Sequence, residues 1–343
     1  MIELLNVLYV LTQGAMLHLD HGTVRIEIER ETRLRVPLLR LSGIVVFGQV
    51  TLSPFLIERC AEDGRSLVWL DRNGRFKARV HGPVEGNVLL RRAQHLALSD
   101  PDRPRLVARQ IVAAKIQNSR QVLMRAAREA RDEPARTVLS QAGEHLASIL
   151  PRLREASDLA IVRGLEGEAA RAYFGAFGWM VRGEGPDFSF DGRTRRPPRD
   201  RVNAVLSFLY ALVRTECTAA LEGVGLDPQV GYLHALRPGR PALALDLMEE
   251  FRSVFADRLA LTLINRSQLG AKDFETLPGN AVRMNEDGRR IVLKAFQERK
   301  AEELHHRLLK QKLPFGLVPH VQARLLARHL RGELADYPPF LYR

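Results

Sequence analysis

The spacing of apolar residues changes character near residue 85 of the chain. Before that point apolar residues come in short runs or alternate with polar ones, as in Thr23 to Glu29. Asp71 to Gly74 (DRNG) has the composition of a hairpin turn. After residue 86 apolar residues recur at three- and four-residue steps, which is typical of amphipathic helices. The pattern predicts an α+β fold, with a β-rich domain over residues 1–85 and a larger all-α catalytic domain over residues 86–343.

The same spacing predicts the individual elements. Strands are predicted over residues 4–11, 23–29, 44–52, 66–70 and 76–80. A short helix is predicted to begin at Pro54, with Ser53 as its N-cap. The longer helices are predicted over residues 87–98, 104–131, 133–153, 156–177, 200–221, 289–312 and 322–331. Residues 267–287 are predicted to be irregular with a turn at 277–280, and residues 336–343 (DYPPFLYR) to form a docking tail.

One stretch, Gly231 to Asp257, combines a histidine, a turn rich in Arg, Pro and Gly, and a helix with an apolar stripe. The stripe consists of Leu243, Leu247, Phe251, Val254, Phe255 and Leu259. Asp246, Glu249 and Glu250 fall within one turn of that helix, and such acids repel one another unless a cation lies among them. If the turn folds His234 over these acids, the nitrogen and oxygen donors suit a divalent metal. The stretch alone leaves open a solvated acidic face with a structural histidine.

Charge adds a second line of reasoning. The chain carries 52 Lys and Arg against 40 Asp and Glu, a net charge of +12, which indicates a polyanionic partner such as nucleic acid. A loop over residues 183–201 concentrates part of this charge in Arg193, Arg195, Arg196, Arg199 and Arg201. Because two prolines stiffen the loop, its arginines would reach phosphates at little cost in ordering entropy. We favour this interpretation over a merely solvated loop.

The cysteines and the N-terminus bear on location. Cys60 and Cys217 form no CxxC pair, which argues against a disulfide framework or a structural zinc site and fits a reducing compartment. The N-terminus lacks the basic lead of a signal peptide, and no uncharged apolar run approaches the length of a membrane span. We therefore expect a cytoplasmic protein.

Three segments carry a resemblance to a known family. They are LEGEAARAYF (165–174), RPPRDRVNAVLSFLYALV (196–213) and GYLHALRPGRPALALDLMEEFR (231–252). In this order, behind a β-rich first domain that opens with NVLYV (6–10), the chain resembles the CRISPR adaptation integrase over essentially its full length. That family is a metal-dependent endonuclease that inserts new spacers into repeat arrays. The YPPFLY tail is similar to the variant that accompanies subtype I-C systems.

The resemblance implies a site and a cofactor. A single Mg²⁺ or Mn²⁺ would be held by Glu166, His234 and Glu249, with Asp246 as a supporting group or weak ligand. Glu249 stands where some relatives carry Asp. Besides the loop arginines, we assign contact with DNA to Tyr173, Asn203, Tyr210 and Arg252. For Tyr173 and Tyr210, packing in the core remains an equal alternative.

The implied reaction is transesterification, in which a 3′-hydroxyl of the incoming DNA attacks a phosphodiester at the repeat boundary. Water in place of the hydroxyl would give endonuclease activity from the same site. Insertion requires one cut on each strand, so we expect a homodimer, formed through the β-rich domain. The family also implies a small ferredoxin-like partner that bridges two dimers, with double-stranded DNA as the substrate.

Two other functions stay open at the level of sequence. One is a metal-dependent nuclease that cuts branched DNA without integrating it, and the other is a basic scaffold without catalysis. Outside the implied site we interpret Glu168 and Glu250 as surface acids. His305 and His306 are interpreted as solvated or phosphate-facing, because no set of carboxylates surrounds them in the sequence.

Overall fold

The computed structural model describes residues 6–72, 74, 76–80, 82, 88–182 and 186–342. Up to residue 80, two four-stranded sheets enclose the first core. The strands are β1 (Asn6–Val10), β2 (Met16–Asp20), β3 (Thr23–Ile28), β4 (Glu31–Pro37), β5 (Leu41–Phe47), β6 (Thr51–Leu52), β7 (Ser66–Leu70) and β8 (Phe76–Val80). One sheet has the order β1-β5-β7-β8 and the other β4-β3-β2-β6.

Local sequence explains how these strands connect. β2 and β3 form a hairpin through His21 and Gly22, both with positive φ, which is the backbone that a tight two-residue turn requires. Strands β5 and β7 are parallel and therefore need a crossover, which helix α1 (Pro54–Glu62) provides. Ser53 caps that helix by accepting a hydrogen bond from Leu56 N, as predicted.

The rest of the chain is mostly helical. The helices are α2 (Val88–Leu96), α3 (Arg103–Arg128), α4 (Glu133–Arg154), α5 (Leu159–Phe177), α6 (Arg201–Glu222), α7 (Ala242–Met248), α8 (Arg258–Asn265), α9 (Glu286–Ala301) and α10 (Val318–Leu330). Four short strands form two hairpins: β9 (Phe274–Leu277) with β10 (Ala281–Met284), and β11 (Glu303–His306) with β12 (Gln311–Pro314). The helical core extends onto the first sheet, where the Phe47 ring stacks on Phe208 at 5.9 Å.

The predicted α+β class, with strands first and helices after, is confirmed. The boundary predicted between residues 85 and 86 lies outside the described residues, so the division into two domains stays a prediction. Most predicted helices are present within a few residues of their expected ends. The predicted turn at 277–280 is also present, but it joins two strands in a segment that we predicted to be irregular.

Three predicted elements are wrong in extent. The strand predicted over 44–52 ends at Phe47, because Gly48 has a φ of +72° and turns the chain. The helix predicted over 289–312 ends at Ala301, and the chain then forms the hairpin β11–β12. The helix predicted along the stripe from Leu243 to Leu259 is interrupted after Met248 and continues as a π-helical turn, Arg252–Asp257, before α8.

The C-terminal tail docks on its own chain, as the sequence predicts. Tyr337 and Phe340 are buried, and the Phe340 ring stacks on Phe251 at 5.5 Å. The tail therefore packs directly behind the segment that follows α7. Helix α6 is long and apolar enough to span a membrane by length and composition, but 56% of its apolar window is buried inside the protein. Its apolar faces serve as the centre of the helical core.

Candidate metal site

Asp246, fully buried on α7, fixes the position of the histidine loop. Its carboxylate accepts hydrogen bonds from the backbone N–H groups of Tyr232, Leu233 and His234 at 2.6, 2.9 and 2.9 Å. The approach needs glycine at position 231, because a Cβ there would lie 2.8 Å from Asp246 Oδ2. The predicted folding of His234 back over the acidic helix therefore takes place.

The same carboxylate also orients the imidazole. His234 Nδ1 lies 2.7 Å from Asp246 Oδ1, so the nitrogen that bears the hydrogen faces the acid. His234 Nε2 is then available as a donor atom, and it lies 3.9 Å from Glu249 Oε1. A carboxylate behind a histidine is the usual support of a metal-binding imidazole. The geometry supports the outer role for Asp246, since both of its oxygens are already engaged.

Glu166 on α5 and Glu249 after α7 meet at one cation, the ammonium of Lys115 on α3. Lys115 Nζ lies 2.7 Å from Glu249 Oε2 and forms an ion pair with Glu166 Oε1. The Glu249 side chain is 3% exposed, whereas those of Glu166 and His234 are 27% and 22% exposed. The cluster is thus closed behind Glu249 and open towards solvent at Glu166 and His234.

A second cation holds Glu249 from the other side. Arg252 Nη1 donates to both carboxylate oxygens of Glu249, at 2.8 and 3.0 Å. Burial opposes ionisation of Glu249, but Arg252, Lys115 and His234 outweigh it and lower its pKa below the usual range. Glu249 is therefore an anion at neutral pH, ready to bind a cation.

These residues fit a hard divalent metal. Two carboxylates and one imidazole, with no thiolate, are the donors that Mg²⁺ and Mn²⁺ accept. The Lys115 ammonium lies between the carboxylates, which shows that this position attracts and accommodates positive charge. No three His, Cys, Asp or Glu side chains among the described residues already stand in a coordinating arrangement. At this site the Lys115 ammonium pairs with both Glu166 and Glu249.

Two tyrosines support the floor of the site. Tyr173 and Tyr210 donate their hydroxyls to the two oxygens of Asp257, at 2.9 and 2.6 Å. Burial raises the pKa of both hydroxyls, so they remain donors. The guanidinium of Arg252 lies over the Tyr210 ring, 4.5 Å from its centroid. For both tyrosines these contacts favour packing in the core over direct contact with DNA. Arg252, held against the Tyr210 ring, is in turn placed to position Glu249.

The loop arginines separate into two groups. Arg193 is half-buried and donates to Asn203 Oδ1 at 2.6 Å and to Ser207 Oγ at 3.0 Å. Asn203 is fully buried and also donates to Gly192 O, so its amide holds the loop in shape. Arg201 is paired with Asp187. The side chains of the remaining three are exposed: Arg195, Arg196 and Arg199. These three are the loop residues best placed to meet a phosphate backbone.

Two interpretations of residues outside the site need correction. Glu250 is not a surface acid, because it is fully buried and accepts hydrogen bonds from Tyr337 Oη at 2.5 Å and Phe340 N at 2.6 Å. His306 is not solvated, because the end of α9 at Ala301 places it in hairpin β11–β12, 3.3 Å from Gln322 Oε1 and against the Phe340 ring. Glu168 does lie at the surface, paired with Arg152.

The central residue that sequence reasoning missed is Lys115. It lies on the buried side of α3, next to Ala114 and Ile116, where a lysine is unusual unless an acid pairs with it. A charged residue inside an apolar stripe was therefore the available signal. Its acidic partners are distant in sequence, and this concealed its role.

The chain has a sheet-rich first part, a helical second part and a partly open cluster in which Glu166 and Glu249 share the Lys115 ammonium beside His234. Together these features define a candidate metal-dependent enzyme. A family model described as CRISPR associated protein Cas1 matches residues 8–298, so the chain belongs to the Cas1 family. It is 55% identical, over 99% of both chains, to "CRISPR-associated endonuclease Cas1 1" of Moorella thermoacetica.

Solved structures share the fold. A "Casposase bound to integration product" superposes with a TM-score of 0.84 at 23% identity, over 99% of this chain and 95% of that one. A chain of a "Cas6-RT-Cas1--Cas2 complex" superposes with a TM-score of 0.82 at 22% identity, over 98% of this chain and 36% of that one. At these identities the likeness shows a common fold.

Proposed function

We propose that this Cas1 protein is a metal-dependent DNA endonuclease and integrase that joins the 3′-hydroxyl ends of a spacer to the repeat array. The observation that carries the proposal is that Glu166 and Glu249 share the Lys115 ammonium, while His234 Nε2 lies 3.9 Å from Glu249 Oε1. These three residues come from distant parts of the chain, and a stable cluster of like-charged acids requires a cation among them. Membership of the Cas1 family supplies the substrate class.

The cofactor that suits the donors is one Mg²⁺ or Mn²⁺, held by Glu166, His234 and Glu249. When bound, it would polarise the phosphoryl oxygen and stabilise the charge that develops there. Asp246 keeps the Nε2 atom of His234 directed at the site through its contact with Nδ1. Arg252 keeps Glu249 ionised and in place. In joining, a DNA 3′-hydroxyl attacks the phosphodiester at the repeat boundary and the cut strand leaves with a new 3′-hydroxyl. In cleavage, water attacks the phosphodiester instead and the same strand end leaves.

The DNA backbone would approach along α5. A groove of about 570 Å³ beside this helix is lined by Arg171, Arg193 and Arg195, and it lies on the same helix as Glu166. The exposed Arg195, Arg196 and Arg199 extend this positive surface. Contacts of this kind bind phosphates with little dependence on base sequence.

Insertion requires one cut on each DNA strand and therefore two active sites, which a homodimer would supply. The β-rich part of the chain offers a surface on which two copies could meet. β4 is the edge strand of its sheet, and Leu34 on it and Leu39 after it are 49% and 77% exposed. We further propose that a small ferredoxin-like adaptation protein bridges two such dimers and that the chain belongs to a subtype I-C system. We also propose that the protein is located in the cytoplasm. The location is supported by two free, buried cysteines.

A strand-transfer assay tests the proposal. Wild-type protein with Mg²⁺ or Mn²⁺, the partner protein, a spacer with free 3′-hydroxyls and a repeat-containing plasmid should give joined products. Cleavage fragments without joined products would favour the branched-DNA nuclease. Joining that continues undiminished in Glu166→Ala or His234→Ala would overturn the site. DNA binding without any metal-dependent chemistry in the wild type would leave only a basic scaffold.

A further inference from the structure

Asp257 is a buried acid outside the set of proposed metal ligands. It ends the π-helical turn Arg252–Asp257, and it is 1% exposed. Burial of a carboxylate is costly unless its oxygens are hydrogen-bonded. Here each oxygen accepts a hydrogen bond from one tyrosine hydroxyl, that of Tyr173 at 2.9 Å or that of Tyr210 at 2.6 Å. Asp257 and the two tyrosines therefore hold one another in a single orientation.

The Tyr210 ring connects Asp257 with the cation that holds Glu249. The hydroxyl of Tyr210 is bonded to Asp257, and the guanidinium of Arg252 lies over the ring, 4.5 Å from its centroid. Arg252 Nη1 donates to both carboxylate oxygens of Glu249, at 2.8 and 3.0 Å. A guanidinium that is fixed against a ring offers its donors in fixed directions. The orientation of Tyr210 therefore determines where Glu249 is held.

The π-helical turn brings Asp257 and Arg252 to the same tyrosine. In an α-helix two residues that are five positions apart differ by about 140° around the axis. Residues 252–257 instead form a π-helical turn, whose i→i+5 hydrogen bonds bring such residues close to one face. The carboxylate can thus hold the Tyr210 hydroxyl while the guanidinium covers the ring. This irregular backbone therefore allows two residues of one turn to fix the same side chain.

Tyr173 ties the same carboxylate to the helix that carries Glu166. The two residues are seven positions apart on α5, which is two helical turns. They therefore lie on one face of that helix, about 10 Å apart along its axis. Because Asp257 binds Tyr173, the contacts that hold Glu249 start from the same helix as Glu166. The two acids come from distant parts of the chain, and this link fixes one relative to the other.

We propose that Asp257 is a positioning residue for Glu249, acting through Tyr210. It determines where Arg252 lies and thereby keeps the two acids at the separation that one metal requires. The inference rests on the proposed function in that these acids bind the metal. Asp257 and Arg252 line one small cavity together with Lys115, so these contacts border the cluster directly. Loss of the carboxylate should disturb metal binding and leave the hold on DNA intact.

Two variants remove the contact from its two ends. Tyr210→Phe loses the hydroxyl and keeps the ring, and Asp257→Leu loses both acceptor oxygens. Ser253→Ala is the matched control, because Ser253 lies in the same turn and lines the same cavity. Its buried hydroxyl finds no hydrogen-bond partner in the described part of the chain. Thermal unfolding midpoints are recorded for each protein, and Tyr210→Phe decides the test if Asp257→Leu does not fold.

Metal affinity and the kinetic constants distinguish positioning from simple support of the core. Mn²⁺ binding, measured by electron paramagnetic resonance, should be about tenfold weaker in both variants, as for other groups that orient a metal ligand. In DNA cleavage kcat should fall about tenfold and KM should change by less than about twofold. Ser253→Ala should match wild type in both measurements. A variant that loses stability but keeps wild-type Mn²⁺ affinity would overturn the proposal.

A double variant tests whether the effect passes through Arg252. Arg252→Lys keeps the positive charge but loses the planar group that lies on the ring and reaches both oxygens of Glu249. Adding Tyr210→Phe to it should weaken Mn²⁺ binding by less than about a further twofold, because the contact that Tyr210 supports is already gone. Losses that multiply would show that the two residues act independently, which contradicts the proposal.

A measurement without metal separates failure of this inference from failure of the proposed metal site. In crystals of Tyr210→Phe grown with a chelator, the Arg252 guanidinium should shift on the ring and lose at least one of its two contacts with Glu249. An unchanged arrangement would overturn the inference, although wild type could still bind Mn²⁺. The expected shift in a protein whose wild type binds no Mn²⁺ would support the positioning role and overturn the metal site alone.

Discussion

Glu249 and Glu250 are neighbours in the chain and are both buried, but their surroundings differ in kind. Glu249 faces Lys115, Arg252 and His234, three groups that carry or accept positive charge. Glu250 faces the opposite way, into the docked tail, where its partners are neutral donors: Tyr337 Oη, Gln322 Nε2 and Phe340 N. Cations lower the pKa of Glu249 below the usual range. Burial raises that of Glu250 to about 7, although its donors oppose the shift.

This difference shows that a buried acid is not in itself a metal site. The Glu249 carboxylate is held by cations, and one of them, Lys115, pairs with both acids of the proposed metal site. That side of the cluster is open to solvent at Glu166. The Glu250 side is closed, and its carboxylate is satisfied by the neutral donors Tyr337 Oη, Gln322 Nε2 and Phe340 N. The surroundings of Glu249 would allow one cation to replace another, whereas those of Glu250 hold the C-terminal tail in place.

The largest expected effect separates the two neighbours directly. Glu249→Gln should lower metal-dependent DNA cleavage about 10³-fold, because a metal stabilises the transition state by several kcal/mol and each 1.36 kcal/mol is tenfold in rate. Glu250→Gln is the matched control and should stay within about threefold of wild type. Initial rates on a labelled DNA substrate measure both. Equal losses in the two variants would erase the distinction drawn here.

A smaller loss is expected for the residue that orients the histidine. Asp246→Asn should weaken Mn²⁺ binding by about 10- to 100-fold, as is usual for a supporting carboxylate. Calorimetric titration measures the affinity. Because the amide also supports the backbone N–H groups of residues 232–234 less well, the unfolding midpoint should be recorded for each protein. A folded variant with wild-type affinity would contradict the role given to Asp246.

Replacing Lys115 should strengthen metal binding, whereas replacing Asp246 should weaken it. Lys115→Met keeps the bulk of the side chain but removes the ammonium that a metal must displace, so Mn²⁺ affinity should rise about tenfold, or about 1.4 kcal/mol. In the presence of a chelator the variant should unfold at a lower temperature than wild type, because Glu166 and Glu249 lose a shared cation. Weaker Mn²⁺ binding in this variant would mean that Lys115 assists the metal instead of standing in for it.

A change in the contacts of Glu250 should lower the stability of the protein and leave DNA cleavage unchanged. Tyr337→Phe removes one donor to the buried carboxylate and should lower the free energy of unfolding by about 1–3 kcal/mol. DNA cleavage per folded molecule should change by less than about twofold. Chemical denaturation and cleavage rates, measured on the same preparation, check the two parts. A cleavage loss larger than the stability loss explains would show that the tail is coupled to the metal site.

The sequence predicts the fold where local patterns decide it. The helical stripes of α3 to α6 and the cap at Ser53 are set by neighbouring residues, and the structure has them. The interruption after Met248 was not predicted, because the apolar stripe continues through it while the backbone turns to present Glu249 and Glu250 to opposite sides. The hairpin β11–β12 was missed for a similar reason, since its strands are stabilised by burial of His306 against the distant tail.

The residues of the site could likewise be predicted from the sequence only where a local pattern relates them. The proximity of His234 to Asp246 could be predicted, because only a short turn separates them. The joining of Glu166 to Glu249 came from family resemblance, since no local pattern relates α5 to α7. The place of Lys115 between them depends on the packing of α3 against both segments, and only the structure shows it.

The most direct test of the central claim is a Mn²⁺ titration followed by electron paramagnetic resonance. It should be carried out on wild type, Glu166→Ala, His234→Ala and the control Glu250→Gln. We predict one bound Mn²⁺ in wild type and in the control, and loss of that binding in the other two variants. Wild-type Mn²⁺ binding in both Glu166→Ala and His234→Ala would contradict the account, because the cation position would then not be the metal site.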